Sequence, residues 1–290
     1  MRPFGREEAP VALYMTMASC IRGAVETSTR VVAGAAVHES GTGPGLVLLH
    51  ANGGDHRDFA PITGRLADAH RVHAIDWPGF GESEPDVSPS ATGYAALLPR
   101  ILDGIGGGPF VLLGNSVGGF AAIQAAATRP DLVRGLVLVD PGGFTPRWAG
   151  TIAACRAIGS EWLAPSMMRI LPRLYLRRSS PAVDAIRSRS VETSREPDRV
   201  RAFASIWRSF ATPEHDARDA AGRVTAPTLL VWGRWDPVLP WFVDGRRARR
   251  ALPRAEVVTL PCGHQAFAEM PEEFLAAVEP FLASIRREVS

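Results

Sequence analysis

A serine able to act as a nucleophile stands in the run Gly114-Asn115-Ser116-Val117-Gly118. Glycines two residues before and after a serine let the chain turn sharply enough to push its hydroxyl out of a strand-to-helix corner. A serine hydroxyl attacks weakly unless a base takes its proton and an acid holds that base. Asp236, in Gly233-Arg234-Trp235-Asp236-Pro237, and His264, in Pro261-Cys262-Gly263-His264, could serve. Serine, then acid, then histidine is one of the chain orders in which such triads occur. Asp140 is a rival acid, because it too closes an apolar run. The chemistry open to this set is acyl transfer: attack on a carbonyl, an oxyanion held by N–H donors, and a proton passed to the leaving group.

Such groups must be held by a scaffold, and six short apolar runs offer one. Leu46–Leu49 leads into His50, Val72–Ile75 into Asp76, Phe110–Leu113 into Gly114, Leu136–Val139 into Asp140, Thr228–Trp232 into Gly233, and Ala255–Leu260 into Pro261. Continuous apolar runs of this length suit strands buried on both faces of a parallel sheet. The candidate residues follow the strand ends, where such sheets carry their chemistry. Helices are expected between them. Val117–Thr128 is alanine-rich and stops at Arg129-Pro130. Pro271–Arg287 spaces Phe274, Leu275, Val278, Leu282 and Ile285 at about 3.6 residues. Upstream, Arg30–Val37 and the Gly41–Gly45 turn read as an antiparallel pair.

Strand and helix alternate, so the expected class is α/β: a mostly parallel sheet flanked by helices. The alternation stops over residues 143–221, which read as a helical cap rich in tryptophan, methionine and arginine. The expected layout is a core at 26–142 and 222–290, that cap, and a flexible leader at 1–25.

Composition excludes several classes. A net charge of +2 gives no strong pull toward nucleic acid or an anionic membrane. The 46% hydrophobic content supports a large core, yet no apolar run approaches the ~20 residues of a membrane span. Cys20, Cys155 and Cys262 form no CxxC pair, so neither a metal framework nor a disulfide scaffold is expected, and an odd count suits a reducing compartment. Val11–Ala18, ahead of Ala18-Ser19-Cys20, has a faint export character that Glu7 and Glu8 spoil. The expectation is a cytoplasmic protein. Every basic residue is arginine, with no lysine, which reads as a coding bias.

Taken together, these segments resemble the α/β-hydrolase superfamily, in its single-cap esterase, haloperoxidase and carbon–carbon-bond hydrolase-like branch. The matching segments are Gly43-Pro44 before Leu46–His50, Asp76-Trp77-Pro78-Gly79-Phe80-Gly81-Glu82-Ser83, the Ser116 corner, the Asp236 loop, and Gly263-His264 followed by Pro271-Glu272-Glu273-Phe274. The resemblance spans roughly Val31 to the C-terminus. It implies Ser116 as nucleophile, His264 as general base and acid, and Asp236 as the orienting acid. For the oxyanion hole it implies the N–H groups of Val117 and Asn52. Many relatives have His-Gly where this chain has His50-Ala51, so Ala51 stays an alternative to Asn52. The Asn52 side chain is a further possible donor.

Other residues take blander roles. His50 is read as structural, bonding the oxyanion loop. His38, His56, His70, His73 and His215 are read as surface or loop residues, and Asp76 as a turn former. The cap arginines, among them Arg147, Arg156, Arg169, Arg173, Arg177, Arg178, Arg187 and Arg189, read as a solvated face. Expected pocket residues are Ala51, Trp148, Trp162, Met167, Trp207 and Trp235.

The expected activity is hydrolysis of an ester or related acyl bond of a small, largely apolar molecule, with no metal or organic cofactor and no nucleic-acid partner. Carbon–carbon hydrolysis of a dienoic keto-acid is the rival, and it needs a carboxylate-binding arginine facing Ser116. Cofactor-free perhydrolysis and a non-catalytic small-molecule receptor are further alternatives on the same fold.

Overall fold

A computed structural model describes residues 27–287. The expected leader and Cys20 lie outside the described residues. Eight strands form one sheet: β1 (Thr27–Val32), β2 (Ala35–Ser40), β3 (Gly45–Leu49), β4 (Arg71–Asp76), β5 (Phe110–Asn115), β6 (Val133–Val139), β7 (Thr228–Gly233) and β8 (Glu256–Leu260). Eleven α-helices accompany them among the described residues: α1 (Ala60–Ala67), α2 (Ala91–Ile105), α3 (Val117–Thr128), α4 (Ala149–Ile158), α5 (Ala164–Tyr175), α6 (Pro181–Thr193), α7 (Pro197–Phe210), α8 (Arg218–Ala221), α9 (Arg246–Ala251), α10 (Ala266–Glu269) and α11 (Pro271–Arg287).

The sheet order is β1-β2-β4-β3-β5-β6-β7-β8. β2 runs antiparallel to β1 and β4, and every other pairing is parallel. The apolar runs owe their continuity to helices on both faces. Val47, Leu49, Leu112, Leu136, Leu138, Leu230 and Trp232 join one buried cluster with α2 and α3. Their neighbours Leu46, Leu48, Val111, Leu113, Val137, Val139, Leu229 and Val231 join another with α1 and α11. Successive side chains point to opposite faces, so a strand covered on both must be apolar throughout.

One expectation shifts, and one helix had no reading in the sequence. The hairpin turn falls at Ala33-Gly34, which have positive φ, while residues 41–44 link β2 to β3. α2 carries Pro99 and Gly93 inside it, so its sequence gives only a weak helical pattern. Residues 143–221 contribute α4 to α8 and no strand. The order places β3 beside β5, with Leu49 opposite Gly114, where the strand sequence changes direction across the sheet. The loops after β3 and β5 therefore open into the same crevice. No helix among the described residues is long and apolar enough to cross a membrane.

Candidate active site

Ser116 closes β5 and opens α3 at φ +54°, in the left-handed region. Such a backbone costs a non-glycine residue about 1–3 kcal/mol and persists only where the surroundings enforce it. They do so here: Ser116 N–H donates to Val139 O at 3.1 Å, and Ser116 O accepts from Gly142 N–H at 2.9 Å. The corner leaves no room for side chains on either side. A Cβ on Gly114 would lie 2.5 Å from Gly118 O, and one on Gly118 would lie 2.3 Å from Leu49 O. The Ser116 side chain does not cap its own helix, and Ser116 lines a cavity of about 370 Å³ together with His264.

His264 is gripped from several sides. Its Nδ1 lies 2.6 Å from Asp236 Oδ2, which leaves Nε2 as the nitrogen available for chemistry. Its backbone N–H donates to Tyr175 O at 3.0 Å, and its carbonyl accepts from Asn115 Nδ2 at 3.0 Å. Asn115 Nδ2 also donates to Val139 O, so the residue before Ser116 ties β5, β6 and the His264 loop together. The sequence reading missed this role, although an amide beside the candidate nucleophile was a usable signal.

The two candidate acids meet. Asp236 Oδ1 accepts from the N–H groups of Val238 (2.8 Å) and Leu239 (3.2 Å), while Oδ2 faces His264. Asp140 is fully buried at φ +41°, and it shares a single N–H, that of Gly233, between its two oxygens. Burial pushes its carboxyl well above the carboxylate range, and the adjacent Asp236 pushes it further. Two touching carboxyls cannot both be ionised, and the one with more donors keeps the charge. Asp140, with the fewer donors, is thus the carboxyl of the pair whose neutral form is favoured.

Glu269, in α10, is a buried carboxylate that accepts only backbone N–H groups. Oε2 receives those of Arg177 (2.7 Å), Arg178 (2.9 Å) and Gly263 (3.0 Å), and Oε1 receives that of Gln265 (3.3 Å). It thereby locks the His264 loop to the chain leaving α5. The fit is close, since a Cβ on Gly263 would lie 1.7 Å from Tyr175 O. Glu269→Gln turns one acceptor into a donor against these N–H groups. It is expected to lower unfolding free energy by about 3 kcal/mol in urea titrations, and a change below about 1 kcal/mol would refute this role.

Val117 opens α3, so its N–H is among those without an intrahelical acceptor. Ala51, Asn52 and Val117 all line the cavity. One N–H of the Asn52 side chain is engaged, with Nδ2 donating to Phe203 O of α7 at 3.2 Å. His50 is buried as a neutral ring: Nε2 accepts from Trp77 N–H at 3.0 Å, and Nδ1 donates to Ala51 O at 2.7 Å. Burial lowers its pKa.

The cavity wall is largely apolar. Ile152, Ile158, Met168, Leu171, Phe203, Trp207, Phe210 and Leu239 contribute to it. Of the expected pocket residues, Ala51 and Trp207 line it, but Trp148, Trp162, Met167 and Trp235 do not. Trp148 and Trp162 are 63% and 88% exposed, and Met168 takes the place expected of Met167. The phase of α5 decides between Met167 and Met168, while Trp148, Trp162 and Trp235 lie outside the helices on segments that turn them from the cavity, and composition carries no record of either.

His215 is a second correction, because it lines the cavity between Phe120 and Phe210 instead of facing solvent. Burial lowers its pKa to about 4, so the unfolded chain binds more protons than the folded one between about pH 4 and 6.5. Its contribution to stability is present above that window and is lost as pH falls through it. The stability difference between wild type and His215→Phe is expected to shrink by about 1–2 kcal/mol from pH 7 to pH 5. A constant difference in urea midpoints would exclude a neutral buried imidazole.

His38 and His56 also depart from the reading, because both converge on buried Asp76 at 3.0 Å. Their rings stack with centroids 3.5 Å apart. Two imidazoles on one tetrahedral ion hold their centroids about 5 Å apart, from metal–nitrogen bonds of ~2 Å. The arrangement suits a hydrogen-bonded carboxylate, not a metal centre. Asp76 holds the His56 backbone and the turn at Glu82, and so braces the loop after β3.

The arginines divide. Arg189 reaches down to Asp58 and Asp55. Arg187 donates to Leu176 O. Arg147 is the one arginine on the cavity wall among the described residues, and its Nη2 donates to Ala211 O.

Comparison with known proteins agrees with this architecture. Residues 46–277 match the profile of the Alpha/beta hydrolase family. The chain is 29% identical over 268 residues to a pimeloyl-[acyl-carrier protein] methyl ester esterase of Shewanella sp. (strain MR-7), covering 85% of this chain and 93% of that one. It is 29% identical over 262 residues to a 2-hydroxy-6-oxononadienedioate/2-hydroxy-6-oxononatrienedioate hydrolase of Burkholderia vietnamiensis (strain G4 / LMG 22486), covering 85% and 90%. A thermophilic esterase from Thermogutta terrifontis superposes with a TM-score of 0.75 at 23% identity, covering 90% of this chain and 99% of that one.

Proposed function

The chain belongs to the Alpha/beta hydrolase family, and from that premise we propose that it is a serine hydrolase cleaving an ester or related acyl bond of a small, largely apolar substrate. The observation that carries this reading is the 2.6 Å contact between Asp236 and His264 on a cavity that also holds Ser116.

Ser116 attacks the carbonyl as His264 Nε2 takes its proton. The backbone N–H groups of Val117 and Asn52 receive the oxyanion. His264 then returns the proton to the leaving alcohol, and water, activated by the same ring, releases the acid. Asp236 stays ionised and holds the Nδ1–H tautomer. Residues 143–221 form the cap over this site, and their apolar wall selects the acyl group. The energetic preference is about 0.8 kcal/mol for each methylene buried.

The carbon–carbon hydrolase reading needs an arginine inside the cavity for a substrate carboxylate. Arg189 is committed to Asp55 and Asp58, and only the exposed Arg147 remains on the wall, which favours the ester.

The deciding experiment combines p-nitrophenyl esters of graded acyl length, a dienoic keto-acid, and a phosphonate ester inhibitor. The expected result is a burst of nitrophenol, little keto-acid cleavage, and one phosphonyl adduct mapped to Ser116 by mass spectrometry. No burst and no adduct would point to a receptor.

A further inference from the structure

Of the eight large apolar side chains exposed among the described residues, six lie on the cap or the Asp236 loop: Trp148, Trp162, Ile170, Leu174, Trp235 and Phe242. Two of them form a row on α5. This helix has two functional faces. Met168, Leu171, Pro172 and Tyr175 turn to the substrate cavity. The opposite face shows Arg169, Ile170, Arg173 and Leu174 to solvent, and exposed Arg177 follows just past its end. Within α5, Arg169 and Arg173 stand four residues apart, as do Ile170 and Leu174, so each pair lies along one line of the helix. Trp162, two residues before α5, is 88% exposed. At the other end, Arg178 stacks on Trp235, 5.4 Å from its ring centroid, and extends the surface to the Asp236 loop.

The stretch of chain that carries this face is unbalanced in charge. Residues 143–178 hold six arginines (147, 156, 169, 173, 177 and 178) and one acid, Glu161. None of the six pairs with a carboxylate among the described residues. Arg147, Arg169, Arg177 and Arg178 bond to main-chain carbonyls instead. The whole-chain charge of +2 hides this local excess, because the acids lie elsewhere.

We propose that the outer face of α5, with Trp162 and Trp235 at its ends, docks on an anionic lipid surface. Aliphatic and tryptophan side chains at solvent level, framed by arginines, have the chemistry of an interfacial helix: the apolar groups enter the acyl boundary and the guanidinium groups meet phosphate. Tryptophan suits the boundary because its ring is apolar and its N–H is polar. A second copy of this chain does not fit, because it would set arginines against arginines. Docking would set the outer face of α5 in the lipid boundary and leave Met168, Leu171, Pro172 and Tyr175, on its opposite face, turned to the cavity.

The test is sedimentation of the full chain with phosphatidylglycerol or phosphatidylcholine vesicles at low and high salt. Vesicle binding is read without turnover, so the proposal succeeds or fails independently of the hydrolase reading, on which no binding arm rests. Binding to phosphatidylglycerol is expected to exceed that to phosphatidylcholine by about tenfold or more and to weaken with salt. The pair Ile170→Ser with Leu174→Ser, and separately the triple Arg169→Gln, Arg173→Gln and Arg177→Gln, should each reduce binding about tenfold or more. Circular dichroism checks that both variants fold. Turnover of a soluble short-chain ester by the Ile170/Leu174 variant is expected to stay at the wild-type rate. The proposal is overturned if wild type does not pellet with phosphatidylglycerol vesicles or if the variants bind as wild type does. Loss in the arginine variant alone also overturns it, because adsorption by charge without entry of Ile170 and Leu174 into the acyl boundary is not the docking proposed.

Discussion

Ser116→Ala is expected to cut ester turnover by about 10⁴-fold or more while leaving the fold intact. The size follows from the arrangement around it. In the proposed mechanism, removing the hydroxyl leaves the oxyanion donors and the cavity in place, and these alone are expected to support slow hydrolysis. It removes the only route to an acyl-enzyme. The fold should survive because Ser116 is held through its backbone, by Val139 O and Gly142 N–H, and not through its side chain. Stability should change little, since alanine at φ +54° is no better tolerated than serine. Steady-state rates corrected for contaminating wild type, with thermal melts alongside, check both parts. Turnover within tenfold of wild type would sink the nucleophile assignment, and a collapsed melt would leave the backbone account wrong.

The second large effect concerns the acid. Asp236→Asn should lower kcat/KM by about 10⁴-fold at neutral pH, because an amide facing His264 Nδ1 can donate and so favours the wrong tautomer. Asp140→Asn should cost less than about tenfold, because burial favours a neutral Asp140 carboxyl, and an amide is also neutral and can both donate and accept in its place. The contrast decides between the acids. Each is a buried aspartate after a sheet strand, and each lies within reach of the other, yet only one bonds the imidazole. If Asp140→Asn were the more damaging, the roles would be reversed. The comparison should be made across pH, since loss of the acid also moves the acidic limb set by His264.

Much of this was legible from residue order. Gly114 and Gly118 flank Ser116 because neighbouring backbone stands within 2.6 Å of where their Cβ atoms would be, and that local constraint is written in the chain. The strands were legible because helices cover both faces of the sheet, so each strand interior must be apolar. α2 was not, because Pro99 and Gly93 blur its pattern while contacts with α3 and the sheet stabilise it. The Asp140–Asp236 pair could not be resolved by position, since both follow strands. The number of N–H donors reaching each carboxyl separates them, and that number depends on the Asp236 loop folding back to Leu239.

Residue order alone carried the α/β class and the strand-end positions of Ser116, Asp236 and His264, because these depend on periodicity and on short-range geometry, and its motifs carried the resemblance to the family. Only the tertiary structure decided what surrounds them. It placed Met168 and His215 in the cavity, left Trp148 and Trp162 in solvent, tied Asn52 Nδ2 to the cap, and gathered arginines on the outer face of α5. The physical reason is that burial and charge balance belong to surfaces made when distant segments pack. The phase of a helix about its axis is set by those neighbours and not by its own residues.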